Sequence, residues 1–317
     1  MTPVYKLSDS SITGRTNYGS MLAGNTPAVI TGGDEVVTVG GYVYRSFTSS
    51  GNLVIDGSKT IEVMGCGGGG AGGGNAYGAG GGAGELDLFT TLTNATGTYT
   101  VTIGARGTGA TSGQGASGGT TTFSKGGVDT ISALGGGGGG NNDSSNGRNG
   151  GSGGGAANNS TAGTASGSNT NAGANSDPAT AHGGTNVRTC GGGGGATSAG
   201  VAGTNLTTST GGNGGAGYTL SSIDANLTSA NFPTTLSGMT VICSGGGGGG
   251  WRDNTARVTT GGTGGTGAGN GQGSSNPSAV VDATSRGSGG GGVGGTNVSG
   301  ATGGNGVAGI VIVRYSA

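Results

Sequence analysis

Three cysteines, one histidine and thirteen carboxylates are the residues of this sequence that could do catalytic or metal chemistry. Cys66, Cys190 and Cys243 are odd in number and far apart, which suits neither a disulfide framework nor a zinc site. Each borders a glycine run, so they read as small, half-apolar residues packed where strands feed into glycine. Ser117 and Ser152 each sit in a G-x-S-x-G match, but a Ser-based triad needs a histidine. The one available, His182, lies in a polar, glycine-flanked stretch. Gly57-Ser58-Lys59-Thr60 lacks the Gly-Lys-Ser/Thr order of a phosphate loop and reads as a hairpin turn. In residues 211–217, Ala216 stands where a calcium-binding nonapeptide needs aspartate. The carboxylates are scattered, with no pair that spacing assigns as acid and base. The expectation is a non-enzyme, with no catalytic residue, metal site or cofactor.

One cluster has the chemistry of recognition instead. Trp251-Arg252-Asp253-Asn254 follows six glycines and holds the chain's single tryptophan. Tryptophan and arginine dominate binding hot spots, and aromatic faces suit sugar rings. Trp251, Arg252 and Asn254 are therefore candidate receptor contacts on an exposed loop. An equal reading makes Trp251 a cap on the glycine layer or part of a subunit contact. Residues 141–149, with Arg148, and the stretch through His182 are long, polar and unpatterned, as recognition loops are; they read equally as inert connections.

The elements that must position these residues are unusual. Glycine supplies 88 of 317 residues, several times its usual share. Hydrophobic residues make up 30 %, too sparse to cover every segment. Ordering glycine costs more backbone entropy than ordering any other residue. Main-chain hydrogen bonds between segments are the one resource in sufficient supply to offset that. The net charge of −1 carries no basic stripe, so nucleic acid is not an expected partner. No apolar run is long enough for membrane insertion. The first residues lack the apolar region of a secretory signal, so synthesis in a cytoplasm is expected.

Strand-like runs at 35–39, 42–48, 53–56, 60–64, 85–92, 98–103, 120–123, 130–134, 240–243 and 309–315 alternate with glycine tracts, and no stretch carries a helical stripe. Gly40-Gly41 and Asp56-Gly57 read as turns. The run Ile310-Val311-Ile312-Val313 reads as a strand buried on both faces, in one domain with residues 42–64. Between strands, small residues recur at every third position: Gly67, Gly70, Gly73, Ala76, Ala79, Gly82; Gly104, Gly107, Ala110, Gly113, Ala116, Gly119; and again through 261–273 and 294–309. A period of three belongs to a polyproline-II-type helix. Built of glycine, such helices can approach closely and donate the bonds that proline cannot. The expected fold is all-β: β-sandwich-like strands with glycine-rich polyglycine-II helices packed in layers.

The order FTSSGNLVIDGSKTIEVMGCGGGGAGGG, GTYTVTIGARGTG, SALGGGGGG and the ending GGNGVAGIVIVRY resembles the glycine-rich domain of bacteriophage tail fibres and adhesins, over residues 40–317. The N-terminal VYKLSDSSITGRTNYGSMLAGN is similar to the leading segment of virion proteins from marine tailed phages. The resemblance implies β-strands with packed polyglycine-II helices, assembly on a tail or fibre, and binding of a host-surface receptor, a glycan or an outer-membrane protein, through loops joining the tracts. It carries over no invariant functional residue. The expectations are a virion component made in the host cytoplasm, a homotrimer, with an attachment arm at 1–33 and a glycine-rich domain at 34–317. Tyr5, Tyr18, Met21 and Leu22 are apolar anchors of the kind that fill pockets on other virion proteins. Two other readings stand beside this: a purely architectural virion protein, and an ice-binding protein, which would need an uninterrupted Thr/Ala row.

Overall fold

The computed structural model describes residues 27–142, 145–182, 185–204, 209–252, 258–274, 280–296 and 300–317. In chain order the strands are β1 (Val29–Thr31), β2 (Glu35–Val39), β3 (Tyr42–Phe47), β4 (Gly51–Cys66), β5 (Leu86–Thr102), β6 (Thr121–Lys125), β7 (Val128–Ala133), β8 (Asp177–His182) and β9 (Thr185–Thr189). They continue with β10 (Ser209–Thr210), β11 (Tyr218–Thr219), β12 (Val241–Ile242), β13 (Gly250–Arg252), β14 (Thr259–Thr260), β15 (Gly295–Thr296) and β16 (Ile310–Ser316). A single helical turn, α1 (Leu220–Ile223), follows β11.

The main sheet runs β2-β3-β16-β4-β5-β6-β7, with β1 also on β4. Its pairs are antiparallel. The C-terminal strand is central, between β3 and β4, as its apolar run predicts. Alternation splits it cleanly. Val311 and Val313 pack with Leu53, Ile55, Ile61, Val63, Val101, Phe123 and Ile131. Ile310 and Ile312 pack on the other side with Tyr44, Met64 and Leu86, against Leu220, Leu227, Phe232 and Leu236 of the 217–243 insertion. All four β16 residues are fully buried. Burying such side chains is worth about 1.5–3 kcal/mol each, so this is where the chain's scarce apolar material is spent. Arg314, next along β16, ties the insertion down through Glu62 (2.8 Å) and Asp224 (2.5 Å).

Three boundaries differ from expectation. Asp56-Gly57 is not a hairpin turn. β4 pairs with β5 on both sides of it, Ile55 opposite Gly97 and Lys59 opposite Ala95, so it is a bulge inside one long strand. Gly57 takes φ +98° there, and Asn94, at φ 53°, absorbs a slip in β5, which is why 85–92 and 98–103 are likewise one strand. The body also begins before residue 34, because Val29–Thr31 pairs with residues 54–56 of β4.

Six strand ends of the main sheet open directly into glycine tracts, and the tracts bond sideways with a strict period. In residues 67–75, the N–H groups of Gly67, Gly70 and Gly73 donate to Glu85, Gly82 and Ala79. Those of Gly68, Ala71 and Gly74 donate to Gly119, Ala116 and Gly113; those of Gly69, Gly72 and Asn75 to Val307, Gly304 and Ala301. Every distance is 2.8–3.2 Å. Successive residues thus address three different neighbours in rotation. The carbonyls of the same tract accept from three more, around Gly107, Gly136 and Gly290. A β-ladder would address one neighbour at every second residue.

Tracts 67–74, 78–84, 245–249 and 287–293 each bond to six surrounding segments and are buried throughout. They are nearly pure glycine, with Ala71, Ala79, Ala83, Ser288 and Val293 as their only side chains. The reason is steric. A Cβ on Gly81 would overlap the carbonyl of Gly70, and one on Gly246 that of Gly290. The outer tract 104–110 has fewer neighbours and keeps glycine where it meets another segment: Gly104 and Gly107 are buried and Gly109 lies against Gly303, whereas Ala105, Arg106 and Thr108 are exposed. Bulkier residues between glycines spaced by three, as at 104–110, therefore mark an outer tract, whereas the series through 67–82 lies in inner tracts, where glycine is nearly unbroken. The series through 67–82 and 104–119 also cross a turn, at residues 75–77 and 111–114, and come back as a second tract.

Candidate functional site

The tracts have two ends. Residues 67–74 leave the main sheet at Cys66 and residues 78–84 return to it at Leu86, so the turn at 75–77 lies at the end away from that sheet. Asn75 bonds to Ala301, and Tyr77 accepts from the N–H of Asn142 (2.9 Å), which places those residues at the same end. A four-stranded sheet, β15-β13-β9-β8, is built there from segments that extend the tracts.

In that sheet Trp251 is paired with Arg188 on one side and Gly295 on the other. The Arg188 guanidinium lies over the Tyr77 ring (5.0 Å) and the Trp251 ring (5.6 Å) and donates to the Tyr77 hydroxyl. The two rings are 5.5 Å apart, tilted by 49°. Beneath them lie Ala79, Ala157 and Cys190. Burial pushes the Cys190 thiol up to about 12, so it stays protonated. The cluster thus offers a cation between two aromatic faces. Stacking of this kind is worth about 0.5–2 kcal/mol and fixes the rings in place. Trp251 remains half-exposed. The arrangement can present a rigid aromatic and cationic surface to a ligand.

The candidate residues fare differently. Trp251, Arg252 and His182 fall in one sheet, on β13 and β8. Arg252 is not on an exposed loop: it is 9 % exposed and lies on β13, between β9 and β15 in the sheet. Arg148 is exposed but belongs to a different segment. Residues 145–151 are no loop but another tract, in which Arg148 donates its main-chain N–H to Gly138 (2.8 Å) and accepts from Gly154. The Asn- and Thr-rich residues after it continue the array, Gly163 donating to Gly154 and Ala174 to Gly192. Asn254, Tyr5, Tyr18, Met21 and Leu22 lie outside the described residues. Tyr77 and Arg188 were not singled out from sequence. Tyr77 is the one aromatic within the glycine-rich stretch 67–84, and that isolation was the available signal.

Asparagine has a second role at the margins of the array. Asn146 and Asn149 accept from the N–H groups of Thr161 and Thr164 (3.0 and 2.9 Å), and Asn213 accepts from that of Thr263 (2.9 Å). Each side-chain carbonyl replaces a neighbouring tract's main-chain carbonyl where the lattice stops. Among the described residues no group of three or more His, Cys, Asp or Glu could hold a metal ion, and no helix is long and apolar enough to cross a membrane.

No curated protein matches the chain. A family profile described as a glycine-rich domain matches residues 48–316, from the end of β3 to the end of β16. The strand-to-glycine junctions and the tract array all fall within that span, and the chain belongs to this glycine-rich domain family.

Proposed function

We propose that this chain is a bacteriophage virion protein, a tail-fibre or receptor-binding component that attaches the particle to the host surface. In this reading the tracts are polyglycine-II helices, three residues per turn, packed in layers against a β-sandwich-like body. The rotation of hydrogen-bond partners at every third residue supports that assignment. The carrying observation for function is the division of the molecule into two ends. The main sheet closes one end, and the array holds the turns and the Tyr77–Arg188–Trp251 cluster at the other. Main-chain bonds fix most of the array, so the turns are free to carry chemistry for recognition. A glycan or an outer-membrane protein is the receptor, a homotrimer the working assembly, and the residues before β1 the connection to other virion proteins.

The test is competition. Purified protein added to susceptible bacteria should block adsorption of the virion that carries it, and antibodies to the chain should label the tail. Label confined to the capsid, with no block of adsorption, would favour the purely architectural role and contradict this one.

A further inference from the structure

Cys66 ends β4, and Cys243 follows β12 at the root of tract 245–249. Their Sγ atoms stand 2.9 Å apart, and both residues are fully buried. Cys243 holds φ 57°, a left-handed conformation that a residue with a side chain adopts only at a cost. Its main chain is fixed on both sides: its N–H donates to Arg286 and its carbonyl accepts from Ala196 (2.9 Å each). Gly287, next to Arg286, lies over the pair, and a Cβ there would overlap the Cys66 sulfur and stand 2.8 Å from that of Cys243. The backbone is thus bent and cleared so that these two sulfurs meet.

Their surroundings suit a redox pair rather than two packed thiols. The Arg286 Nε is buried without a hydrogen-bond partner among the described residues. Burial lowers the Arg286 pKa, and the neighbouring Cys66 is the first influence opposing that. Burial, followed by the Cys66 thiol, pushes the Cys243 thiol well up.

We propose that Cys66 and Cys243 are a modification site, an intramolecular disulfide formed by exchange with a small-molecule disulfide once the protein leaves a reducing compartment. When the 217–243 insertion opens locally from the sheet and uncovers the pair, Cys66 thiolate attacks one sulfur of the small disulfide, whose S–S bond breaks and whose other half leaves as a thiol. Cys243, losing its proton, then attacks the mixed disulfide and expels the second thiol. Two protein S–H bonds are lost and one S–S bond is gained. The two electrons and two hydrogens end on the small disulfide, now two thiols. The cross-link joins the sheet directly to the 217–243 insertion and closes a loop containing much of the array, which restricts the unfolded chain. Cys190 has no cysteine beside it and serves as an internal control.

The full chain, purified under reducing conditions and folded, is incubated with oxidised glutathione, then unfolded without reductant, alkylated and weighed. The expected result is a loss of two hydrogens, one alkylated residue, Cys190, and a linked peptide pair containing Cys66 and Cys243. A Cys190→Ala chain should form the same link, and the oxidised protein should melt several degrees higher than the reduced one. Three alkylated cysteines, a glutathione adduct that never resolves, or a link involving Cys190 would overturn the proposal.

Discussion

The main-chain N–H of Gly246 donates to the carbonyl of Gly81 at 2.9 Å, and Gly81 in turn donates to Gly290 at the same distance. Three remote segments are stitched through atoms that every residue possesses, and what selects glycine is the space a side chain would need. Gly81→Val should therefore cost about 3 kcal/mol or more, by overpacking and by parting these bonds. Thr108→Val, on the exposed side of an outer tract, should stay within about 0.5 kcal/mol. Denaturant melts of the two variants check the contrast; equal effects would contradict the distinction between inner and outer tracts.

The asparagines at the margin should behave as acceptors. Asn149→Ala removes the partner of the Thr164 N–H and should cost about 1 kcal/mol. Asn149→Asp keeps an acceptor oxygen in place and should cost less. Thermal melts rank the two, and the reverse order would refute the role.

How much of this was legible from sequence depended on what the signal measured. Ile310–Val313 and residues 35–39 were readable as strands because alternation and apolar content track burial. The period of three at Gly104, Gly107 and Ala110 was readable because side chains fill the free faces of an outer tract. The Asn- and Thr-rich residues 145–174 were not readable as tracts. Their bonds come from the main chain, so composition hides them, and only inward positions such as Gly147, Gly150 and Gly163 are constrained. The bulge at Gly57 imitates a turn because both need a positive φ. Tyr77 and Arg188 meet through tertiary pairing that no local pattern encodes.

Acid should loosen the insertion from the sheet. Burial pushes the Asp224 carboxyl up, but hydrogen bonds from Tyr44, the Asn226 N–H and Arg314 outweigh it, and its pKa lies below the ordinary 3.8. A depressed carboxylate stabilises the fold above its unfolded pKa, and that contribution is lost as pH falls through the folded value. Asp87 has the opposite sign: burial, then Glu85, raise its pKa, so its contribution is present at low pH and lost as pH rises through the raised value. Asp224→Asn should lower stability at neutral pH and flatten its decline below pH 4 or so. A melting curve series across acid pH measures this; an unchanged slope would contradict it.

Trp251 should matter for attachment and little for folding. Its ring is half-exposed over Tyr77 and Arg188, so Trp251→Ala should cost about 1–2 kcal/mol of stability. Binding to susceptible cells should fall at least tenfold, which for an interface hot spot is about 1.4 kcal/mol or more. Full binding by the variant would remove this cluster from the receptor surface.

The hydrogen-bond pattern of the tracts is open to direct observation. Scalar couplings across hydrogen bonds, recorded by NMR on the isotope-labelled protein, identify the carbonyl that each amide addresses. The account predicts that the consecutive amides of Gly67, Gly68 and Gly69 couple to three different segments, at Glu85, Gly119 and Val307, and that Gly70, Ala71 and Gly72 repeat the rotation at Gly82, Ala116 and Gly304. Couplings from alternate residues to a single neighbouring segment, as in a β-ladder, would contradict it.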